Sequence, residues 1–200
     1  GESIYYHSLN VSILSMLLAK EAGFTEEEMK QVGFAALVHD IGMLRIPTQI
    51  LRKTEPLTRP ELNLLKQHTR YGHELLDLTK DCPDTAKKVV LRHHERLDGS
   101  GFPEGLKAEQ LDKLTQMVSV VDEYDELCHP QDQSKAKVPH VVLSFLFKNR
   151  RLHDAAVKEK RLVALLLVLH VAEADGEAAV EEGQLAQAVG EDVPLEGVAG

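Results

Sequence analysis

The residues with the most chemistry in this chain are imidazoles and carboxylates, and they fall in a spaced pattern: His7, His39-Asp40, His68, His93-His94 and Asp122. A lone histidine on an apolar helix face reads as packing. Adjacent pairs read differently, because neighbours on a helix point about 100° apart and both are hard to satisfy in one core. His39-Asp40 precedes the break Ile41-Gly42, and His93-His94 precedes a glycine-rich loop, so both pairs sit at helix ends where side chains are free to converge. Histidine mixed with aspartate and no cysteine selects borderline or hard divalent metals. Seven ligands exceed the needs of one ion and suit two, with a shared carboxylate. A two-metal centre activates water and clamps the oxygens of an in-line phosphoryl displacement.

The elements that must position these groups read as helices throughout. The apolar spacing of Ile4, Val11, Leu14, Leu17 and Leu18 predicts a helix over 4–22, stopped at Gly23. Thr25 with Glu28 is a capping-box pattern that opens a second helix to about His39. Residues 41–56 read as loop with short turns. Thr58 with Glu61 opens a helix to about Arg70, with another turn or two to Leu78. Asp81 and Pro83 open one to about Glu95, and a turn-rich loop covers 96–107. A long helix is expected from Ala108 to about Leu127, with Leu111, Leu114, Val118 and Val121 as its buried stripe. Further helices are expected near 139–149, 153–173 and 177–189. No segment alternates with period two, so the expected class is all-α, a compact helical bundle.

Composition bounds the partners. The chain has 200 residues and a formal net charge of -9. Residues 1–170 hold all 23 basic residues and are nearly neutral, whereas the last thirty hold eight acidic residues and no basic one. That excludes a basic groove for polymeric nucleic acid. The longest apolar run, Leu162 to Leu169, is too short to span a bilayer, so no membrane segment is expected. Two cysteines make no disulfide framework and fit a reducing, cytoplasmic setting. The chain starts inside a predicted helix, as a piece excised from a longer protein would.

His39-Asp40-Ile41-Gly42 followed by His68 resembles the HD phosphohydrolase superfamily. The run His93-His94-Glu95-Arg96-Leu97-Asp98-Gly99-Ser100-Gly101-Phe102-Pro103 resembles the long HHExxDGxGYP signature of its HD-GYP subfamily. Ile50 to Lys53, Lys66-Gln67-His68 with Gly72, and Val121 to Leu127 are similar to that subfamily as well. The likeness covers residues 3–150 and sets a domain over 1–150, with C-terminal helices and an acidic tail over 151–200.

The resemblance implies a helical bundle with a metal centre, usually iron or manganese, that hydrolyses cyclic di-GMP to linear pGpG or to GMP through a metal-bridging hydroxide. It implies His7, His39, Asp40 and Asp122 on one ion and His68, His93 and His94 on the other. Asp40 bridges, and Asp40 and Asp122 form the catalytic core. It places Glu95 behind a ligand histidine as its orienting group and Asp98 in the cleft loop. It gives Gly101, Phe102 and Pro103 to substrate binding, and Arg96, which flanks the His pair and enters the cleft loop, is a candidate to meet substrate phosphate. A diguanylate cyclase (GGDEF) domain is an implied partner, and a sensory or receiver domain an implied upstream neighbour.

The pattern departs from the family in four places. Met43 stands for the lysine of HDxGK, which contacts substrate phosphate. Losing such a charge would cost roughly 2–4 kcal/mol of transition-state stabilisation. Cys128-His129-Pro130-Gln131-Asp132 replaces a segment that carries a substrate-binding arginine. Phe102 replaces tyrosine, and Ser3 stands where metal-rich members have a carboxylate, so two ions are expected and not three. A second expectation follows from the first two departures: a catalytically weak or inactive module that keeps metal and signals through protein contacts. His73, His129, His140, His153 and His170 lack partners at ligand spacing and read as surface or packing residues.

Overall fold

The computed structural model describes residues 2–130 and 133–149, and within them the regular structure is helical. Eight α-helices follow in order among the described residues: α1 (Glu2–Glu21), α2 (Glu26–Leu37), α3 (Thr48–Leu51), α4 (Arg59–Leu65), α5 (His68–Asp77), α6 (Asp84–Arg92), α7 (Lys113–Cys128) and α8 (Pro139–Lys148). The helices and tail expected beyond residue 150 lie outside the described residues.

The starts and stops follow local chemistry. Gly23 takes φ 78°, a left-handed conformation that L side chains resist, and α1 ends there. Thr25 accepts from the backbone N–H of Glu28 while Glu28 accepts from the N–H of Thr25, which closes the expected capping box on α2. Thr58 and Glu61 repeat the device on α4.

Two expected helices are shorter than their composition suggests. The segment after Thr58 breaks at Lys66-Gln67 into α4 and α5, so His68 opens a helix instead of lying inside one. The break is set by packing. The turn Ile41–Arg45 lies directly on α5, and a Cβ on Gly42 would overlap the carbonyl oxygen of His68 and the nitrogen of Gly72. The helix expected from Ala108 begins at Lys113, because Asp112 caps it by accepting from the N–H and hydroxyl of Thr115. Ala108–Gln110 forms only a short 3-10 turn before it.

Helix α7 runs through the centre of the bundle. It packs on α1, α6 and α8, and α1 and α6 both pack on α2. Val118, Val120, Val121 and Tyr124 of α7 meet Val11 of α1, Val32 and Ala36 of α2, and Val89 and Val90 of α6 in one apolar core. A fully buried side chain of this size contributes about 1.5–3 kcal/mol. That core holds the polar face of α7, with Asp122 and Asp125, against the ends of α2 and α6.

Candidate metal centre

Each ring is delivered by a helix or its end. His7 projects from α1, His39-Asp40 follow the end of α2, His68 opens α5, and His93-His94 follow the last turn of α6. Asp122 comes from the middle of α7. His39, His68, His93 and Asp122 are buried, and His7 and His94 are partly exposed.

The seven side chains fall into two adjoining groups, His7, His39 and Asp122 in one and Asp40, His68, His93 and His94 in the other. Within each group the ligand atoms lie within 4.8 Å of one another. Asp40 straddles both: Oδ2 lies 3.6 Å from His39 Nε2, and Oδ1 lies 3.3 Å from His68 Nε2. Asp122 Oδ1 lies 3.1 Å from His7 Nε2 and 3.4 Å from His39 Nε2.

The donor set fits divalent cations. Four rings have their Nδ1 occupied from behind: His39 donates to the Ala36 carbonyl at 2.6 Å, His68 to Leu65 at 2.7 Å, His93 to Val90 at 3.0 Å, and His7 to Asp125 Oδ2 at 2.7 Å. In a neutral ring this leaves Nε2 with its lone pair facing inward. Yet the Nε2 atoms of His7 and His39 are 3.3 Å apart, and those of His68 and His93 are 3.4 Å apart. Lone pairs at that distance repel unless a cation lies between them. Asp40 Oδ1 is buried with no hydrogen-bond donor, another group that a cation would satisfy.

In the metal-free chain, protons take that place in the first group. Burial opposes charge on His7, but Asp122 and Asp125 outweigh it and raise the imidazole to about 11. For His39 burial is likewise overcome, by Asp40 and Asp122, and the ring is raised to about 9. Burial would raise Asp40 and Asp122, but the imidazoles around them hold both well below the usual carboxylate range. His68 is lowered by burial, and His94 is lowered further by burial and by His93. Acid and base partners are thus driven apart within one cluster, a common feature of reaction centres.

The loop after His94 has a different job from the one expected. Glu95 is buried, and its carboxylate accepts backbone N–H groups from Glu104 at 2.6 Å, Gly105 at 3.1 Å and Leu106 at 2.9 Å. It orders the loop, while His39, His68 and His93 are oriented by carbonyls and His7 by Asp125. Arg96 was expected to meet substrate. Its guanidinium instead donates to Ser119 at 2.9 Å and pairs with Glu123 at 3.2 Å, both on α7.

Gly101 lies so close to the backbone of Glu95 and Arg96 that a Cβ has no room, so its contribution is steric. Asp98 accepts from the N–H of Ser100 at 2.9 Å and shapes the turn. Pro103 accepts from Arg70 at 3.3 Å through its carbonyl. Phe102 stacks on His94 with ring centroids 4.7 Å apart, and Lys66 Nζ lies 4.9 Å from the centroid of the Phe102 ring. Phe102 thereby shields the second group from one side.

A cleft of about 470 Å³ opens beside the centre, with His7 and Asp40 in its wall. Met43, Ile50, Leu57 and Leu65 make its apolar side, and Lys53, Glu126 and His129 its polar side. Met43 therefore does face the space next to the metal groups. Lys53 is bound to both oxygens of Glu61, at 2.8 and 2.6 Å.

Three residues of this region carry weaker signals in the sequence. Asp125, one turn after Asp122, orients His7. Glu126 lies one turn after Asp122, and burial, then Asp122 and Asp40, push its carboxyl up to about 8. His129 reads as a bland residue, yet it donates to Asp125 Oδ1 at 3.0 Å and lines the cleft. The signal for it is the i, i+4 spacing from Asp125, legible only once Asp125 is known to point inward.

Comparison with known proteins places the chain in a family. The profile of the HD domain family matches residues 4–157. The cyclic di-GMP phosphodiesterase response regulator RpfG of Xanthomonas campestris pv. campestris is 36% identical over 146 residues, 72% of this chain and 39% of its own length. The cyclic di-GMP phosphodiesterase PA4108 of Pseudomonas aeruginosa is 37% identical over 137 residues, 67% of this chain and 32% of its own. This chain thus spans between about a third and two-fifths of those two relatives. Among solved structures, Bd1817, an HDG"Y"P protein from Bdellovibrio bacteriovorus, shares the fold with a TM-score of 0.68 at 22% identity, over 84% of this chain and 52% of that one. The convergent His and Asp residues, the helical bundle and the family match agree, and the chain belongs to the HD-domain family.

Proposed function

We propose that this chain is a metal-dependent phosphodiesterase that hydrolyses a cyclic dinucleotide, cyclic di-GMP foremost, to pGpG or GMP. One observation carries the reading. Seven His and Asp side chains converge with their ring nitrogens facing inward and a buried carboxylate oxygen lacking a donor, beside a cleft large enough for a nucleotide. His7, His39 and Asp122 would hold one divalent ion, His68, His93 and His94 the other, and Asp40 both. Iron or manganese suits this mixture of imidazole and carboxylate. Two such ions supply Lewis-acid activation of water and of the phosphate. The chain's own residues orient the ligands from behind, keep His94 under Phe102, and offer an apolar wall for a base. The names of the relatives support the substrate class.

The test is turnover. The chain purified without oxygen and loaded with iron or manganese should convert cyclic di-GMP, followed by chromatography. Two metals per chain with no product would overturn the reading.

A second reading, a regulatory module that keeps metal and signals through protein contacts, is favoured by Met43 in the cleft wall, where a thioether offers a phosphate no charge. Met43→Lys separates the two. It should raise kcat/KM about tenfold or more in an enzyme. A variant as silent as the parent chain would support the regulatory module.

A further inference from the structure

Several cations around the metal groups and their loop are committed within the fold. Lys53 is bound to both oxygens of Glu61, Arg92 to Glu104, and Arg96 to Glu123. Arg70 donates to the Pro103 carbonyl. Met43, in the cleft wall, has no charge to offer. Lys66 differs from all of these. Its ammonium pairs with no carboxylate among the described residues, and its one ring contact is Phe102.

The fold sets its place. Lys66 follows Leu65 of the cleft wall and stands two residues before His68, at the break between α4 and α5. The side chain is half-buried. Phe102, the ring beneath the ammonium, stacks on His94 and meets His68 edge-on with centroids 6.4 Å apart. One aromatic ring thus touches the ammonium and two imidazoles of the second group.

A ring face attracts a cation but accepts no ordinary hydrogen bond, so it leaves the three N–H donors of a lysine available to an anion. The position also carries an electrostatic conflict. A cation without a carboxylate partner, next to a group that would hold a divalent ion, is repelled by that ion. A phosphodiester beside both removes the conflict, and lysine meets phosphate well as a point charge.

We propose that Lys66 binds a phosphodiester oxygen of the cyclic dinucleotide beside the second metal group, supplying a side-chain charge that Met43 cannot. This inference rests on the cyclic dinucleotide reading above. It makes Lys66 a substrate-binding residue, with Phe102 as the surface that carries its ammonium.

The test measures binding, so it stands apart from turnover. The metal-loaded chain is titrated calorimetrically with a phosphorothioate analogue of cyclic di-GMP. Lys66→Met keeps the length of the side chain and removes the charge. It should weaken the ligand about tenfold at low salt, at unchanged metal content. Lys66→Arg, which keeps the charge and can stack on the ring, should stay within about threefold of the parent chain. In about 1 M salt the gap between Lys66→Met and the parent should shrink to less than about twofold, because a charge contact is screened and a packing defect is not. Lys66→Met within about twofold of the parent at low salt overturns the inference. So does a loss that persists in high salt, a loss that follows falling metal content, or an arginine variant as weak as the methionine one. If the parent chain binds the ligand and Lys66→Met weakens it as expected, but nothing is hydrolysed, the phosphodiesterase reading alone fails. Turnover with a silent Lys66→Met defeats this inference alone. No binding by the parent chain defeats both.

Discussion

Replacing Glu95 by glutamine should destabilise the chain by about 2–4 kcal/mol without removing a metal ligand. The carboxylate accepts three backbone N–H groups, two on Oε1 and one on Oε2. Glutamine keeps one carbonyl oxygen, which can serve Glu104 and Gly105. Its amide NH2 then faces the N–H of Leu106, donor against donor. Losing a charge-assisted bond costs about 1.5–3 kcal/mol, and the two retained bonds weaken as the charge goes. Relief from burying a charge offsets part of this, which gives the range above. Urea unfolding measures the total. Hydrogen exchange locates it, with the amides of Glu104, Gly105 and Leu106 losing the most protection. An unfolding free energy within about 0.5 kcal/mol of the parent, with those three amides unchanged, would refute the account of Glu95 as the loop's anchor.

Gly42→Ala should destabilise by several kcal/mol and lower metal content, because its Cβ has no room against the backbone of α5 beside His68; a folded variant with full metal content would contradict this close approach. Asp40→Asn should cut bound metal from two per chain to one or fewer, measured by elemental analysis, since Asp40 faces both groups. The metal-free chain should show an acid-side stability maximum in scanning calorimetry with chelator. His7 and His39, raised from 6.5 to about 11 and about 9, add stability that is complete below pH 6.5 and lost as pH rises through 9 and then 11. Asp40 and Asp122, lowered from 3.8, add stability that is present above that value and lost in acid. A Tm at pH 9 equal to that at pH 6 in chelator would contradict the assignment.

Four of the seven converging residues are legible because their signal is local, and His7, His68 and Asp122 join them through the spacing of the whole set and the family resemblance. His-Asp and His-His at helix ends announce themselves in two letters, and capping boxes at Thr25 and Thr58 mark where helices begin. The missed features depend on contacts across the fold. Lys66-Gln67 has an ordinary helical composition, and the break there comes from the turn at Gly42 pressing on His68. Arg96 looked available for substrate because Ser119 and Glu123, more than twenty residues away, meet it only after α7 docks. The family resemblance makes Glu95 a histidine's partner, whereas its partners here are three amides on the far side of a loop. His129 became informative only when Asp125 proved to point inward.

The hydrogen bonds behind three of the rings have a consequence for how inactive controls are made. His39, His68 and His93 each donate to the carbonyl three residues earlier, at the place where a helix finishes or turns. Carbonyls in the last turn of a helix lack an intrahelical partner, although that of Ala36 also accepts from the backbone N–H of His39. Each ring therefore also caps the end of the helix that precedes it, and alanine there removes that cap as well as deleting a ligand. A histidine-to-alanine variant that loses activity would mix two lesions that a single activity assay cannot separate. Asp122, in the middle of α7 with no such duty to a helix end, offers the cleaner null.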